Sequence, residues 1–495
     1  MSGTVASGSD TDGTAARQAR WLLVVALTVQ FLVSLDMSVV NVALPDIRGD
    51  LGFGRDGLLW VINAYALAFG GLLLLGGRLA DLAGPRRVLT AGLVLFGLAS
   101  LAGGLAWSPG SLVAARAVQG VGAAALAPVA FALITLAFPA GPARSRALGL
   151  WGMAGAAGGA VGVLAGGVLT DVAGWRAVML VNVPIVAFAL AAAARTGPVG
   201  GRRRTGARLD LAGALLATAG TTLLVLGLVR ASDDGWSSAV TLSTLGAAVL
   251  LLAAFVAVEL RTASPLLRPG LLRGRPVLTA NLFCLLLASA QFGAFYFVSL
   301  HLQLVLGYGP TATGFAFLPF CVGVVAGSIL ATRAVAVLGI RRLMALGGAL
   351  AALGMAWFAA TATADGSFLT SILGPSLLCS LGIGLCFVPL GTAATTDVVP
   401  GETGMASGLL NSSRQVGGSL GLAVLVTVAA QVTGGSAEVV DLASGYAAAF
   451  WVAAGLLAAA ASAAYVLLPA ERRTLGGPVA GEAVVAEDEE DAAGR

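Results

Sequence analysis

Two residues in this chain have the type and the setting for proton chemistry. Asp36 stands in LDMSVVNVALP and Arg116 in LVAARAVQGVGAAA, each inside an otherwise apolar run. A charge at bilayer depth costs several kcal/mol unless it is paired or wetted, so each marks a candidate functional position. A carboxylate held at depth beside an arginine can bind and release a proton as access alternates; the other role open to it is a fixed ion pair that locks two helices. Arg414, with Asn411 and Gln415 beside it, has no obvious acidic partner in the membrane. It either contacts backbone carbonyls or meets an anionic or polar substrate. The one histidine, His301, falls at a span end, which argues against a histidine relay. Cys284, Cys321, Cys379 and Cys386 lie in apolar stretches without metal-ligand spacing and read as small buried hydrophobes. No catalytic cluster and no nucleotide-binding P-loop motif occurs, so neither an enzyme nor ATP-driven transport is expected.

The elements that hold these residues follow from composition. The chain has 495 residues, 58% apolar and 11% charged, with a mean hydropathy of +0.93. A soluble domain carries roughly 25% charged residues, so soluble enzymes, nucleic-acid-binding proteins and disordered chains are excluded. An all-α polytopic membrane protein remains. A bilayer core about 30 Å thick needs roughly 20 apolar residues per helix. That ruler predicts fourteen spans, at 21–44, 57–77, 88–107, 111–138, 147–170, 176–195, 209–230, 239–259, 276–303, 311–335, 342–362, 367–392, 403–430 and 445–468.

Charge tests this count. All 28 basic residues are arginine. With the N-terminus cytoplasmic, only Arg48, Arg55, Arg176 and Arg230 fall in outer segments, while Arg116 and Arg414 lie within spans and the rest are inside. That asymmetry places both termini in the cytoplasm. Asp36 then lies roughly 12 Å from the outer face and Arg116 roughly 9 Å, at 1.5 Å per residue, so the two share a depth and can pair if the first and fourth spans are neighbours. Residues 1–20 read as a disordered cytoplasmic N-terminus, and 471–495, with Glu487, Asp488, Glu489, Glu490 and Asp491, as an acidic solvated tail.

An internal repeat divides what lies between. At an offset of 255 positions, Arg78, Gly84, Arg86 and Arg87 fall on Arg333, Gly339, Arg341 and Arg342, and Gly149, Gly162 and Gly166 on Gly404, Gly417 and Gly421. The expected organisation is a six-helix bundle at 21–195, a linker carrying two further membrane helices at 196–275, and a second six-helix bundle at 276–470. Such repeats, with a site at their interface, are how secondary transporters are built. Asp36, Asp81 and Arg116 correspond to Gln291, Ala336 and Ser371, so the ionisable groups, and with them the ion coupling, are expected in the first half.

From about residue 21 to 470 the chain resembles the major facilitator superfamily, and within it the fourteen-helix drug/proton antiporters. LDMSVVNVALP is similar to that family's first-span signature, with Asp36, Asn41 and Pro45 in place. GGRLADLAGPRRVL resembles the superfamily's cytoplasmic loop motif through Gly77, Leu79, Asp81, Gly84, Arg86 and Arg87, with Leu82 and Pro85 at two usually basic positions. LVAARAVQGVGAAA matches the motif built on Arg116, Gln119, Gly120 and Gly122, and GMASGLLNSSRQVGGSLG matches through Asn411, Arg414 and Gln415. GMAGAAGGAVGVLAGG looks like the antiporter segment; Gly158, Gly162 and Gly166 share a helix face and permit close approach, with Val163 where the family usually has proline.

The resemblance implies a proton-driven exporter of amphipathic small molecules such as antibiotics, in the cell membrane, needing no cofactor beyond the proton gradient. Asp36 and Arg116 would couple the proton, and the loop of Gly77, Asp81, Gly84, Arg86 and Arg87 would hold the cytoplasmic side closed in one state. Tyr65, Gln119, Gln291, Phe295, Asn411 and Arg414 are expected around the substrate, being polar or aromatic within spans. A dedicated metabolite exporter, a proton-coupled uptake transporter and a non-transporting sensor are the other readings.

Overall fold

The computed structural model describes residues 8–54, 57–138, 142–196, 210–262, 269–396, 398, 403–436 and 438–469. Residues 1–7, the arginine-rich 197–209, the acidic tail from 471 and the Asp81 side chain lie outside the described residues. Those described are helical, with no strand among them. In chain order the helices are α1 (Gly8–Leu51), α2 (Leu59–Ala83), α3 (Pro85–Gly104), α4 (Pro109–Ala137) and α5 (Pro142–Ala173), followed by the short α6 (Trp175–Leu180) and α7 (Asn182–Ala194). Then come α8 (Leu211–Asp233) and α9 (Ala239–Arg261), and after them α10 (Arg275–Leu300), α11 (Pro310–Ala316), α12 (Leu318–Thr361), α13 (Gly374–Thr395), α14 (Thr403–Thr433) and α15 (Val439–Leu467). Helix α1 begins ahead of the expected start at 21; Ala15, Ala16, Arg17 and Gln18 are good helix formers and extend it.

Among the described residues twelve helical stretches are long and apolar enough to cross a membrane, against the fourteen expected. Two places account for the difference. The Pro310–Thr361 stretch runs 52 residues without a gap, yet Gly339 inside it is non-helical, at φ 75° and ψ 166°. In α2, 25 residues from Leu59 to Ala83, only Leu59–Leu73 enters that count, because the Leu74 side chain lies outside those described.

Local chemistry sets the helix starts. Ser108 caps α4, its hydroxyl accepting from the Ser111 amide while the Ser111 hydroxyl accepts from the Ser108 amide, and Pro109 opens the helix. Asp210 caps α8 through a 2.8 Å bond from the Gly213 amide. Gly84, at φ 91°, turns the chain between α2 and α3, and Pro85 restarts it. Its counterpart 255 positions on is the Gly339 break, so the repeat seen in the sequence recurs as a repeated backbone bend.

The same correspondence governs packing. A Cβ on Gly158, Gly162 or Gly166 of α5 would fall within 3.0 Å of the carbonyl oxygens of Phe31, Leu35 and Val39 in α1. In the second half, Gly417 and Gly421 of α14 lie as closely against Leu285 and Ser289 of α10. Small residues let these backbones approach where side chains could not.

Candidate functional site

The site forms where α1, α4 and the α6–α7 break meet. Helix α1 carries Asp36, fully buried, and α4 carries Arg116, 2% exposed. Arg116 Nη1 donates to Asp36 Oδ2 at 2.7 Å and to Gln119 Oε1 at 2.8 Å, while its Nε donates to the Val61 carbonyl at 2.9 Å. The guanidinium lies over the Tyr65 ring, 4.4 Å from its centroid. Asp36 Oδ1 accepts from Gln119 Nε2 at 2.9 Å and from Asn182 Nδ2 at 2.7 Å. Gln119 also donates to the Ser100 hydroxyl at 2.7 Å. A buried ion pair is tolerable only when its remaining valences are met by hydrogen bonds, and this one has a guanidinium and two amides around one carboxylate.

Asn182 and Ser100 were not singled out in the sequence. Asn182 opens α7, just after the helix breaks at Val181 and two residues before Pro184, which has no amide proton to give. A lone amide in LVNVPI was the only signal. Its Oδ1 has no hydrogen-bond partner although the residue is fully buried, and the Tyr65 hydroxyl is likewise unpartnered.

The structure gathers Asp36, Arg116, Gln119 and Tyr65 into this one cluster and leaves the other candidate residues elsewhere. Phe295 of α10 stacks on Phe317 at 5.2 Å and meets Phe320 edge-on at 5.0 Å, with Gln291 half-buried one turn earlier. On α14 Asn411 is exposed and Arg414 half-buried, while Gln415 is buried and reaches Met37 Sδ at 3.9 Å, next to Asp36. Gly77 stands against Pro128 of α4, and Arg86 and Arg87 are exposed at the start of α3 beyond the Gly84 turn. His301, 2% exposed, lies in a π-helical turn after α10, edge-on to Tyr446 of α15, and both its ring nitrogens are unpartnered.

Where α1 ends, which we call the distal end, the two halves are tied together. Ser299 Oγ donates to the Asn41 carbonyl at 2.9 Å and Gln303 Nε2 to the Val42 carbonyl at 3.0 Å, while the Thr311 amide donates to Asp171 Oδ2 at 2.9 Å. Farther from that end Asn63 Nδ2 donates to the Ser419 carbonyl at 3.3 Å and Ser412 Oγ to the Gly70 carbonyl at 2.9 Å.

The family model of the Major Facilitator Superfamily matches residues 26–422. The chain belongs to the major facilitator superfamily. Among relatives in it, the cephamycin export protein CmcT of Amycolatopsis lactamdurans is 48% identical over 432 residues, covering 86% of this chain and 88% of that one. The puromycin resistance protein pur8 of Streptomyces alboniger is 42% identical over 90% of this chain and 91% of its own. A POT family transporter solved with a thioalcohol-conjugated peptide shares the superfamily fold at a TM-score of 0.67 and 14% identity, over 89% of this chain and 94% of that one. Superfamily members are multi-pass membrane transporters of small molecules and not enzymes, and this chain is one of them.

Proposed function

We propose that this transporter is a drug/proton antiporter that exports amphipathic small molecules such as antibiotics across the cell membrane. The observation that carries the reading is the Asp36–Arg116 pair, buried at 2.7 Å inside helices that cross the membrane. The names of its relatives, a cephamycin exporter and resistance proteins for puromycin and lincomycin, support the direction and the class of cargo. In this reading the chain crosses fourteen times with both termini cytoplasmic, α8 and α9 being the two crossings that link the six-helix bundles. The Gly339 break and the arginine distribution support that count and that orientation.

The distal end is then the outer face, and its ties describe a state closed to the outside. A proton reaching Asp36 removes the charge that Arg116, Gln119 and Asn182 converge on, loosening α1 from α4 and α7. Substrate in the cleft favours release of that proton to the cytoplasmic side, and the halves rock about the α2–α14 contact. The proton gradient is the only energy source required, and no cofactor or ATP enters. The loop of Gly77, Asp81, Gly84, Arg86 and Arg87 steadies the cytoplasmic ends of α2 and α3 during this motion.

Everted vesicles holding an acid-inside gradient test the reading. Added compounds should trigger proton release in the wild type and none in Asp36→Asn at equal membrane abundance. Full compound-driven release by Asp36→Asn would sink it.

A further inference from the structure

Arg414 has a different environment from Arg116. It is the twelfth residue of the 31-residue α14, about 17 Å along the helix at 1.5 Å per residue, and so at mid-depth. Its neighbours in sequence fix where it faces. Ser412 and Gln415 meet Gly70 of α2 and Met37 of α1. Ser413 donates to Asn281 Oδ1 of α10 at 2.8 Å, and Gly417 packs on Leu285 of the same helix. Residues 411, 414 and 418 occupy the arc between those two directions, because positions three and four apart share a face. They look into the cleft between α1 and α10.

In that cleft the Arg414 guanidinium makes no hydrogen bond, ion pair or ring contact among the described residues. The carbonyl contacts that would have given it a structural role are not found among the described residues. It lies close enough to Cys284 of α10 for its charge to be felt there. Arg116, by contrast, commits its Nε and Nη1 to Val61, Asp36 and Gln119, lies over the Tyr65 ring and is 2% exposed, so it is walled off from a ligand. Asp36 and Arg116 pair with each other, so among the described residues no carboxylate is paired with the charge that Arg414 brings to the cleft. A half-buried guanidinium at this depth is costly alone and is completed by a planar anion held through two parallel N–H bonds. Apolar surface stands beside it. Phe292 of α10 closes over Gly418 on the same face of α14, and the Phe295–Phe317–Phe320 cluster continues from α10 into the helices that follow.

We infer that Arg414 anchors a substrate site for amphipathic anions, its guanidinium holding a carboxylate while the aromatic side chains of α10 take the apolar body. The inference deepens the exporter reading and rests on it for calling the ligand a substrate. The anion is held away from Arg116, so Asp36 remains free to exchange its proton.

Three probes with one aromatic body and different charge test it: 1-pyrenebutyrate, 1-pyrenebutanol and 1-pyrenebutylamine. Binding to the purified full-length protein is read by fluorescence anisotropy, and flux in everted vesicles by pyrene emission. The butyrate should bind about tenfold tighter than the amine, and Arg414→Gln should cost the butyrate about tenfold more than the alcohol, as a charge-assisted bond predicts. Arg414→Lys should recover part of that loss. Preference for the amine, a butyrate affinity that Arg414→Gln leaves unmoved, or no binding of any probe would overturn the site. Charge-selective binding with no gradient-driven flux would overturn the exporter reading and leave the site standing. Gradient-driven flux of the amine alone, abolished in Asp36→Asn, would do the reverse.

Discussion

The carboxylate of Asp36 receives three donors from two helices, Arg116 and Gln119 on α4 being joined by Asn182 at the start of α7. Removing one donor from a buried charge costs roughly 1.5–3 kcal/mol, about a tenfold effect or more on any step that needs the charged form. Asn182→Leu is therefore expected to lower proton-coupled efflux about tenfold at unchanged membrane abundance, measured as dye dequenching in vesicles. Arg116→Lys should do worse, because an ammonium cannot span Val61, Asp36 and Gln119 at once as the guanidinium fork does; drug-efflux assays on the two variants should rank them in that order. The Asp36–Arg116 meeting was legible in the sequence, since two charges in apolar runs at equal depth leave few other partners. Asn182 was not, because an amide just before proline reads equally well as a helix-start residue. Gln119 was read as a cavity side chain for its polarity, and in the structure it sits within the ion-pair cluster, fully buried.

Helix packing follows the glycines. Gly158, Gly162 and Gly166 each meet a backbone carbonyl of α1, which cannot move aside as a side chain tip can. Gly162→Ala should cost about 1–3 kcal/mol through overpacking and displace the turn of α1 that carries Asp36. Gly159→Ala, whose new Cβ would meet only the Ser38 hydroxyl at 3.7 Å, should be tolerated. Thermal unfolding of the two purified variants against wild type separates these outcomes, with a lowered melting temperature expected for Gly162→Ala only. A period of four glycines announced this face in the sequence; the partner it packs on could not be read there, because small residues suit any close neighbour. The fourteen crossings read from the sequence are not recovered among the described residues, where Pro310–Thr361 continues through the Gly339 bend as one stretch. Gly84→Ala and Gly339→Ala test whether both bends matter: each would strain a residue at positive φ, at a cost of about 1 kcal/mol or more, visible in the same melts.

At the scale of the whole molecule, alternating access requires the distal ties to break once per cycle. Asp171→Cys combined with Thr311→Cys, in a background lacking the four native cysteines, should hold them shut under oxidant, where the Thr311 amide now meets the Asp171 carboxylate. Efflux should stop on oxidation and return with reductant; transport that continues with the crosslink formed would place the moving interface elsewhere. The distal ties and the two farther from that end share a chemical trait. Ser299 on Asn41, Gln303 on Val42, Thr311 on Asp171, Asn63 on Ser419 and Ser412 on Gly70 each pair a side chain with a main-chain atom across the interface. A main-chain carbonyl or amide is present whatever the side chain, so the accepting half is largely indifferent to its own sequence at these points. Each half must keep the side chains it supplies, Asp171 and Asn63 in the first and Ser299, Gln303 and Ser412 in the second, and is free to drift where it offers only backbone. The join thus asks for five particular side chains and leaves the residues opposite them open to substitution.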